Sequence, residues 1–551
     1  MKKNENKKIM IIVPHEDDEL NLAGGILNSH FINKKNIILV FTTNGDYGIS
    51  GQTRINEALK SAKKMHIPIN NVIFLGYSDQ YKNKDTHIYM TPNNSVWISQ
   101  NGKKETYGTN KINDFRFSID NYHSPFNKES FIKDLYDVIE KYLPNKIFTI
   151  DYDSHPDHRC LTLCFDIAMG QLLKKNLDYE PKIYKGFAYP TSFFGYADFD
   201  SINLKSTNFK TENNSTYPMQ NPYLIWDDRV RFPVAKSVTN KFLPLNNFYK
   251  CLRCHKSQLI IKKAFSIINS DQVFWERYSN NLIRFAKIIA SSGSIEYLND
   301  FRLFDTNNIM HGDKLKTNFT NISWIPSKED LKKTLKFTFL KKVTFNQINF
   351  YQNAASSDRI DEIELLFSNG YKNNICIKDF ICYKYKLPDQ KDITWIKIII
   401  KSTTGDMAGF SEIEVLKLDN KPKQNNFIKI VINDDLTYGK YFIKNNINSL
   451  KIFLYDNDKN YLLNKDDCYY YLNGKKIDYN AIFLNIKKNN KLKIVVKNNS
   501  LEDTVIIKKV TLKNRIINKL IFYLNKIYIF IDVLYLRVIN KIKKILKKIK
   551  V

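Results

Sequence analysis

Ile9-Met10-Ile11-Ile12-Val13-Pro14-His15-Glu16-Asp17-Asp18-Glu19 sets an unbroken apolar run directly against an acidic loop that carries an imidazole. A run with no polar alternation predicts a strand covered on both faces. The same texture recurs at 37–43, 71–75, 146–150 and 182–188, with helical stretches between. Short buried strands interleaved with helices predict a mostly parallel, Rossmann-like α/β sheet over about 8–290. Two helices, expected at 251–268 and 272–290, close this unit.

Beyond Ser291 the pattern changes to period-two alternation with turn signals, as in Glu362-Ile363-Glu364-Leu365-Leu366-Phe367-Ser368-Asn369-Gly370. The expected organisation is multidomain: an α/β unit at 1–291, a β-sandwich at 296–418, a polar linker at 419–426, and a second β-rich, immunoglobulin-like unit at 427–511 with a hairpin turn at Asn473-Gly474. A basic amphipathic helical tail follows at 512–551. With 551 residues, 43% hydrophobic and 13% aromatic, the chain can bury several cores, which excludes a single small module and a largely disordered chain.

In a parallel sheet, ligands bind in the loops after the carboxyl ends of strands. Two chemically loaded loops stand at such positions: His15-Glu16-Asp17-Asp18-Glu19 after the first strand, and Asp151-Tyr152-Asp153-Ser154-His155-Pro156-Asp157-His158 after the strand ending at Ile150. A catalytic zinc wants three nitrogen or oxygen ligands and one open position for water. His15, Asp18 and His158 supply that set. Asp17, beside a ligand, is the candidate general base, and His155 is the candidate group for stabilising an oxyanion or protonating an amine, with Asp157 tuning it. Each loop also has a plain structural reading, as a helix cap or as a cap followed by proline at the first turn. Both together, each after a strand of one sheet, favour a site.

These residues resemble the PIG-L/LmbE-like zinc-dependent de-N-acetylases. Further matches are Thr43-Asn44-Gly45-Asp46, Arg54-x-x-Glu57-Ala58, Leu75-Gly76-Tyr77-Ser78-Asp79 and His255-Lys256-Ser257-Gln258, so that the resemblance covers about 8–290. It implies removal of an acyl group from an N-acetylated amino sugar, one Zn²⁺ per chain on His15, Asp18 and His158, Asp17 as base, and Arg54 and His255 near the substrate. The sequence departs from the family at Glu16, where proline is usual, and at Asp153, where some relatives carry a tyrosine. Acylated amines other than sugars, or a glycan-binding and assembly protein with an inactive deacetylase-like unit, are the alternative readings.

Residues 296–418 resemble a discoidin, or F5/8 type C, sandwich, on Trp324, Trp395-Ile396-Lys397-Ile398 and Gly409-Phe410-Ser411-Glu412-Ile413-Glu414-Val415; glycan binding and a structural spacer are equal expectations there. Cys251-Leu252-Arg253-Cys254-His255 matches a c-type haem pattern, but two helix cysteines are the expected reading. The seven cysteines are scattered and odd in number, and no export signal is read at Met1, so a cytoplasmic, reducing location is expected.

The formal charge is +29, of which residues 1–300 carry +8, 301–500 carry +11 and 501–551 carry +10. Charge concentrated at one end, away from an acidic candidate site, gives no reason to expect nucleic acid. From 538 the tail places isoleucine and leucine on one helical face and six lysines over the rest. Residues 515–551 therefore read either as an interfacial anchor on an anionic inner membrane face or as a helix packed back on the protein.

Overall fold

The computed structural model describes residues 7–28, 33–79, 86–92, 94–188, 199–207, 221–310, 318–419, 427–444, 446–456, 460–485 and 489–549, with side chains except at 484, 485 and 539–549. The N-terminal sheet contains β1 (Ile9–Val13), β2 (Ile37–Thr43), β3 (Val72–Tyr77), β4 (Lys146–Ile150), β5 (Lys182–Gly186), β6 (Val230–Pro233) and β7 (Asp271–Arg277). Their order is β3-β2-β1-β4-β5-β7-β6. β1 to β5 are parallel, and β7 and β6 add an antiparallel edge. The apolar runs are unbroken because both faces are covered. Ile11 and Val13 enter one core while Met10 and Ile12 enter the other.

β1 pairs with β2 on one side and β4 on the other, so the winding reverses between β1 and β4. Their following loops diverge there, which opens the crevice where α/β sheets hold ligands. One core packs α1 (Asp18–Leu27), α2 (Gly51–Lys64) and the later α6 (Asn247–Leu252) on the sheet. The other packs α3 (Phe115–Asp120), α4 (Lys128–Tyr142) and α5 (Pro156–Lys175). Gly24 and Gly25 let α1 sit unusually close to its neighbours: a Cβ at either would lie 2.4 Å from Phe248 or Val234, respectively.

The two closing helices expected at 251–268 and 272–290 are not formed as read. The first is broken into α6, turns and the single helical turn Ala264–Ile267, and the second is replaced by β7 and β8 (Ala286–Ala290). A fully buried strand shows no period of two, so Val273-Phe274-Trp275 fits a helix equally well by pattern. Phe274 packs edge-on to Phe148 and Phe232 in the sheet core, and Arg231 pairs with Asp271 at 2.8 Å across the β6/β7 edge.

β8 does not join that sheet. It pairs antiparallel with β9 (Thr334–Gln352), in a sheet ordered β11 (Lys372–Cys376), β10 (Arg359–Phe367), β12 (Cys382–Thr404), β9, β13 (Phe410–Leu416). Register shifts between Thr338 and Gln347 bend the long β9/β12 pair, and the bent layers enclose Trp324, Phe337, Phe345 and Phe350. The third unit has a four-stranded and a five-stranded sheet around Ile430, Ile452 and Ile494. Its Asn473-Gly474 turn has φ of 53° and 85°, the two positive values a tight hairpin requires. Most of the expected linker, 420–426, lies outside the described residues. The last element is α7 (Leu512–Ile549).

Candidate active site

The acidic loop after β1 turns sharply into α1, and Asp17 takes φ 144° at the turn. That value is strained for any residue with a side chain and costs about 1–3 kcal/mol. Its carboxylate makes no capping bond to the helix, so the strain is not offset by an ordinary N-cap. Glu16, Asp18 and Glu19 are at most 1% exposed, whereas the Asp17 side chain keeps 15% of its surface accessible. Burial raises the Asp17 pKa above the usual carboxylate value, opposed by Arg54.

After β4, Pro156 occupies the first turn of α5 and His155 caps it, its Nδ1 accepting from the Asp157 backbone N–H at 3.2 Å. The capping reading is thus realised by the same side chain that the chemical reading names. Burial first, then the charges of His15 and His158, hold His155 well below the ordinary histidine pKa. In the neutral ring an acceptor Nδ1 leaves the proton on Nε2, a donor for developing negative charge.

The two loops converge. Asp18 Oδ2 lies 2.9 Å from His15 Nδ1 and 3.2 Å from His158 Nε2, joining the three residues expected as ligands. Donor atoms of His15, His155 and His158 lie within 4.8 Å of one another, as do those of His15, Asp79, His155 and Asp157. Burial opposes charge on Asp18, yet His158 and His15 hold its carboxyl well below the usual range. Asp18, Asp79, Asp153 and Asp157, all buried, stand among His15, His155 and His158, a set of oxygen and nitrogen donors. Such donors are of the kind that hold a divalent metal ion.

Asp153, His87 and Asp79 belong to this arrangement although the sequence assigned them no role in it. Asp153 Oδ2 meets His158 Nδ1 at 2.7 Å, the kind of outer partner that fixes the ring and tautomer of a ligating histidine. Asp157 reaches His15 Nε2 at 3.1 Å and His87 Nε2 at 3.2 Å, closer than its 3.8 Å approach to His155. His87 stands in a stretch with no motif spacing, and only the fold brings it here. Asp79 sits 3.8 Å from His15 and is positioned by Asp46, whose Oδ1 accepts from the Asp79 backbone N–H at 2.8 Å.

Arg54 and His255, expected near the substrate, are buried against the acidic loop, with 4% and 0% of their side-chain surface exposed. Arg54 donates to the Glu16 carbonyl at 2.7 Å and lies 3.4 Å from Asp17 Oδ1. His255 Nε2 meets Glu19 Oε1 at 2.8 Å, and Ser61 donates to the same oxygen. Cys251 and Cys254, close by in sequence, are free thiols. Glu16, the departure from the family pattern, is fully buried 3.4 Å from Arg54, and burial pushes its pKa up to about 8.

Residues 10–169 match the family model of PIG-L, GlcNAc-PI de-N-acetylase. Among solved structures, the chain is similar to the N,N'-diacetylchitobiose deacetylase of Pyrococcus horikoshii at 15% identity, over 50% of this chain and 85% of that one, with a TM-score of 0.26. A deacetylase of the teicoplanin biosynthesis pathway matches at 13% identity over 49% and 97%, also with a TM-score of 0.26. The family 32 carbohydrate-binding module of Clostridium perfringens NanJ matches at 14% identity over 24% and 95%, with a TM-score of 0.19. No curated protein matches the chain.

Proposed function

We propose that the chain is a zinc-dependent hydrolase that removes the acetyl group from an N-acetylated amino sugar. The observation that carries this reading is the convergence of His15, Asp18, His155 and His158 at the sheet's switch point, with Asp17 next to Asp18 in the chain. The match of residues 10–169 to a de-N-acetylase family supports the reaction class.

His15, Asp18 and His158 would hold the metal, which when bound supplies a Lewis acid and lowers the pKa of water toward about 7. Asp17, the accessible carboxylate of the loop, takes the proton of the attacking water. Arg54 fixes the Asp17 carboxylate against its strained backbone. His155 presents Nε2–H to the oxygen of the tetrahedral intermediate, while the Asp157 backbone N–H holds its ring in place. The proton on Asp17 then passes to the departing amine, giving acetate and a free amino sugar. Asp153 and Asp157 orient His158 and His15, and His255 braces α1 through Glu19.

The sandwich serves as a structural partner of the α/β unit and, as a second role, as a glycan-binding module. All seven cysteines are free, which agrees with a reducing, cytoplasmic setting. The test is acetate release from a panel of free and lipid-linked N-acetyl sugars, with and without chelator. Release that chelation abolishes and zinc restores is expected. A metal-loaded protein that releases acetate from none of them, yet binds glycans, would establish the assembly reading instead.

A further inference from the structure

The tail is a docked helix with a second face. Asn518, Phe522, Asn525, Asp532 and Leu536 follow one helical stripe onto the α/β unit: Phe522 stacks on Phe265, Asn525 bonds the backbone at Lys241 and Leu243, and Asp532 takes Tyr249 and Arg253. These contacts hold α7 by side chains with defined partners. At 100° per residue the opposite face falls on Ile516, Leu520, Tyr523, Ile527, Leu534 and their neighbours.

That face is apolar and exposed. Of the 27 large hydrophobic residues exposed among the described residues, 12 lie between Leu512 and Val538, including Phe530 at 66% and Tyr535 at 58%. Arg515, Lys519, Lys526 and Arg537, all exposed, fall on one flank of the stripe, between it and the docked face. A groove of about 460 Å³ where the helix meets the α/β unit is lined by Phe265 and Val533 together with Lys262, Lys526 and Arg537. From 512 to 551 the sequence holds eleven Lys or Arg against the single acid Asp532.

We propose that this face of α7 docks on an anionic lipid bilayer surface, with the helix lying in the interface and the α/β unit fixed to it. Continuous apolar area edged by cations matches a headgroup region carrying negative charge. A second copy is the poorer occupant, because it would bring another cation row and another +29 chain against the first. A spanning arrangement does not fit, since no described helix is long and apolar enough to cross a membrane. The surface lies in the first half of the 515–551 stretch that the sequence points to, before its lysine-rich end, and is held on the α/β unit by the contacts above.

The experiment is co-sedimentation of the full chain with vesicles of phosphatidylcholine alone and with about 30% phosphatidylglycerol. Binding to the anionic vesicles is expected, falling at least about tenfold for Leu520→Glu with Phe530→Glu, and falling in the same way for Lys519→Glu with Lys526→Glu. Both pairs alter exposed positions, and unchanged thermal unfolding and circular dichroism show that the fold is kept. Absence of wild-type binding, or binding by either double variant as strong as that of the wild type, overturns the proposal. So does a dimer, seen by light scattering without lipid, that Leu520→Glu with Phe530→Glu dissociates.

Discussion

At the scale of single residues, the site separates groups that touch the chemistry from groups that hold them. Asp17 is accessible and lies beside Asp18, the proposed metal ligand, so Asp17→Asn should lower acetate release by about 10²–10⁴-fold while zinc content stays near one per chain. Metal analysis alongside the rate measurement checks this, and full activity in the zinc-loaded variant would remove Asp17 from the reaction. Asp153 Oδ2 meets the far nitrogen of His158, and its Oδ1 accepts from the His155 backbone N–H at 2.9 Å. Asp153→Ala should therefore weaken zinc by about 10–100-fold in a chelator competition, with turnover recovering only in part at saturating metal because His155 loses its support. Asp17, Asp18, His15, His155 and His158 were legible in the sequence because each sits in a dense motif next to a strand end. His87 was not, since nothing in its neighbourhood along the chain marks it and only tertiary folding sets it against Asp157.

At the scale of elements, the position of α5 decides where His158 points. Gly170 in α5 faces the loop before the sandwich so closely that a Cβ would lie 2.0 Å from the Asp300 carbonyl oxygen. Backbone cannot yield as a flexible side chain can, so Gly170→Ala should cost about 1–3 kcal/mol in denaturant unfolding and reduce zinc affinity as α5 is displaced. Full stability in that variant would show that the contact relaxes freely. Arg159, one residue past the ligand, ties the same region together by donating to the carbonyls of Asp153 and Ile309. The parallel strands were readable because their apolar runs are long and bounded by turn residues. β7 was misread as helix because complete burial removes the alternation that distinguishes the two.

At the scale of the whole molecule, the α/β unit and the sandwich share a buried polar seam. Arg277 at the end of β7 pairs with Glu414 of β13 at 2.5 Å, and Asn281 bonds the β13 backbone at Ile413 and Val415. Removing one member of a buried pair strands the other, so Arg277→Met should destabilise by about 3–5 kcal/mol. Adding Glu414→Gln, which keeps an acceptor for Asn349 and Tyr351, should recover part of that loss. Thermal unfolding of the single and double variants checks the pair; an unaffected single variant would mean the seam is not coupled to stability. Because β8 belongs to the sandwich sheet, a fragment of 279–418 should unfold at a higher temperature than one of 296–418.

The sequence by itself determined the α/β class, the presence of β-rich units in the second half of the chain, the two loops rich in histidine and carboxylate, and the amphipathic tail. Each of these follows from local pattern: burial period, turn residues, or charge placed next to a strand end. Tertiary structure decided the rest. It set β1 beside β4 so that the loops meet, buried Arg54 and His255 against the acidic loop, gave β8 to the sandwich, and turned the face of α7 that is left exposed. Those outcomes depend on which strands pair and which surfaces cover one another, and that choice is made by long-range packing rather than by any stretch of chain alone.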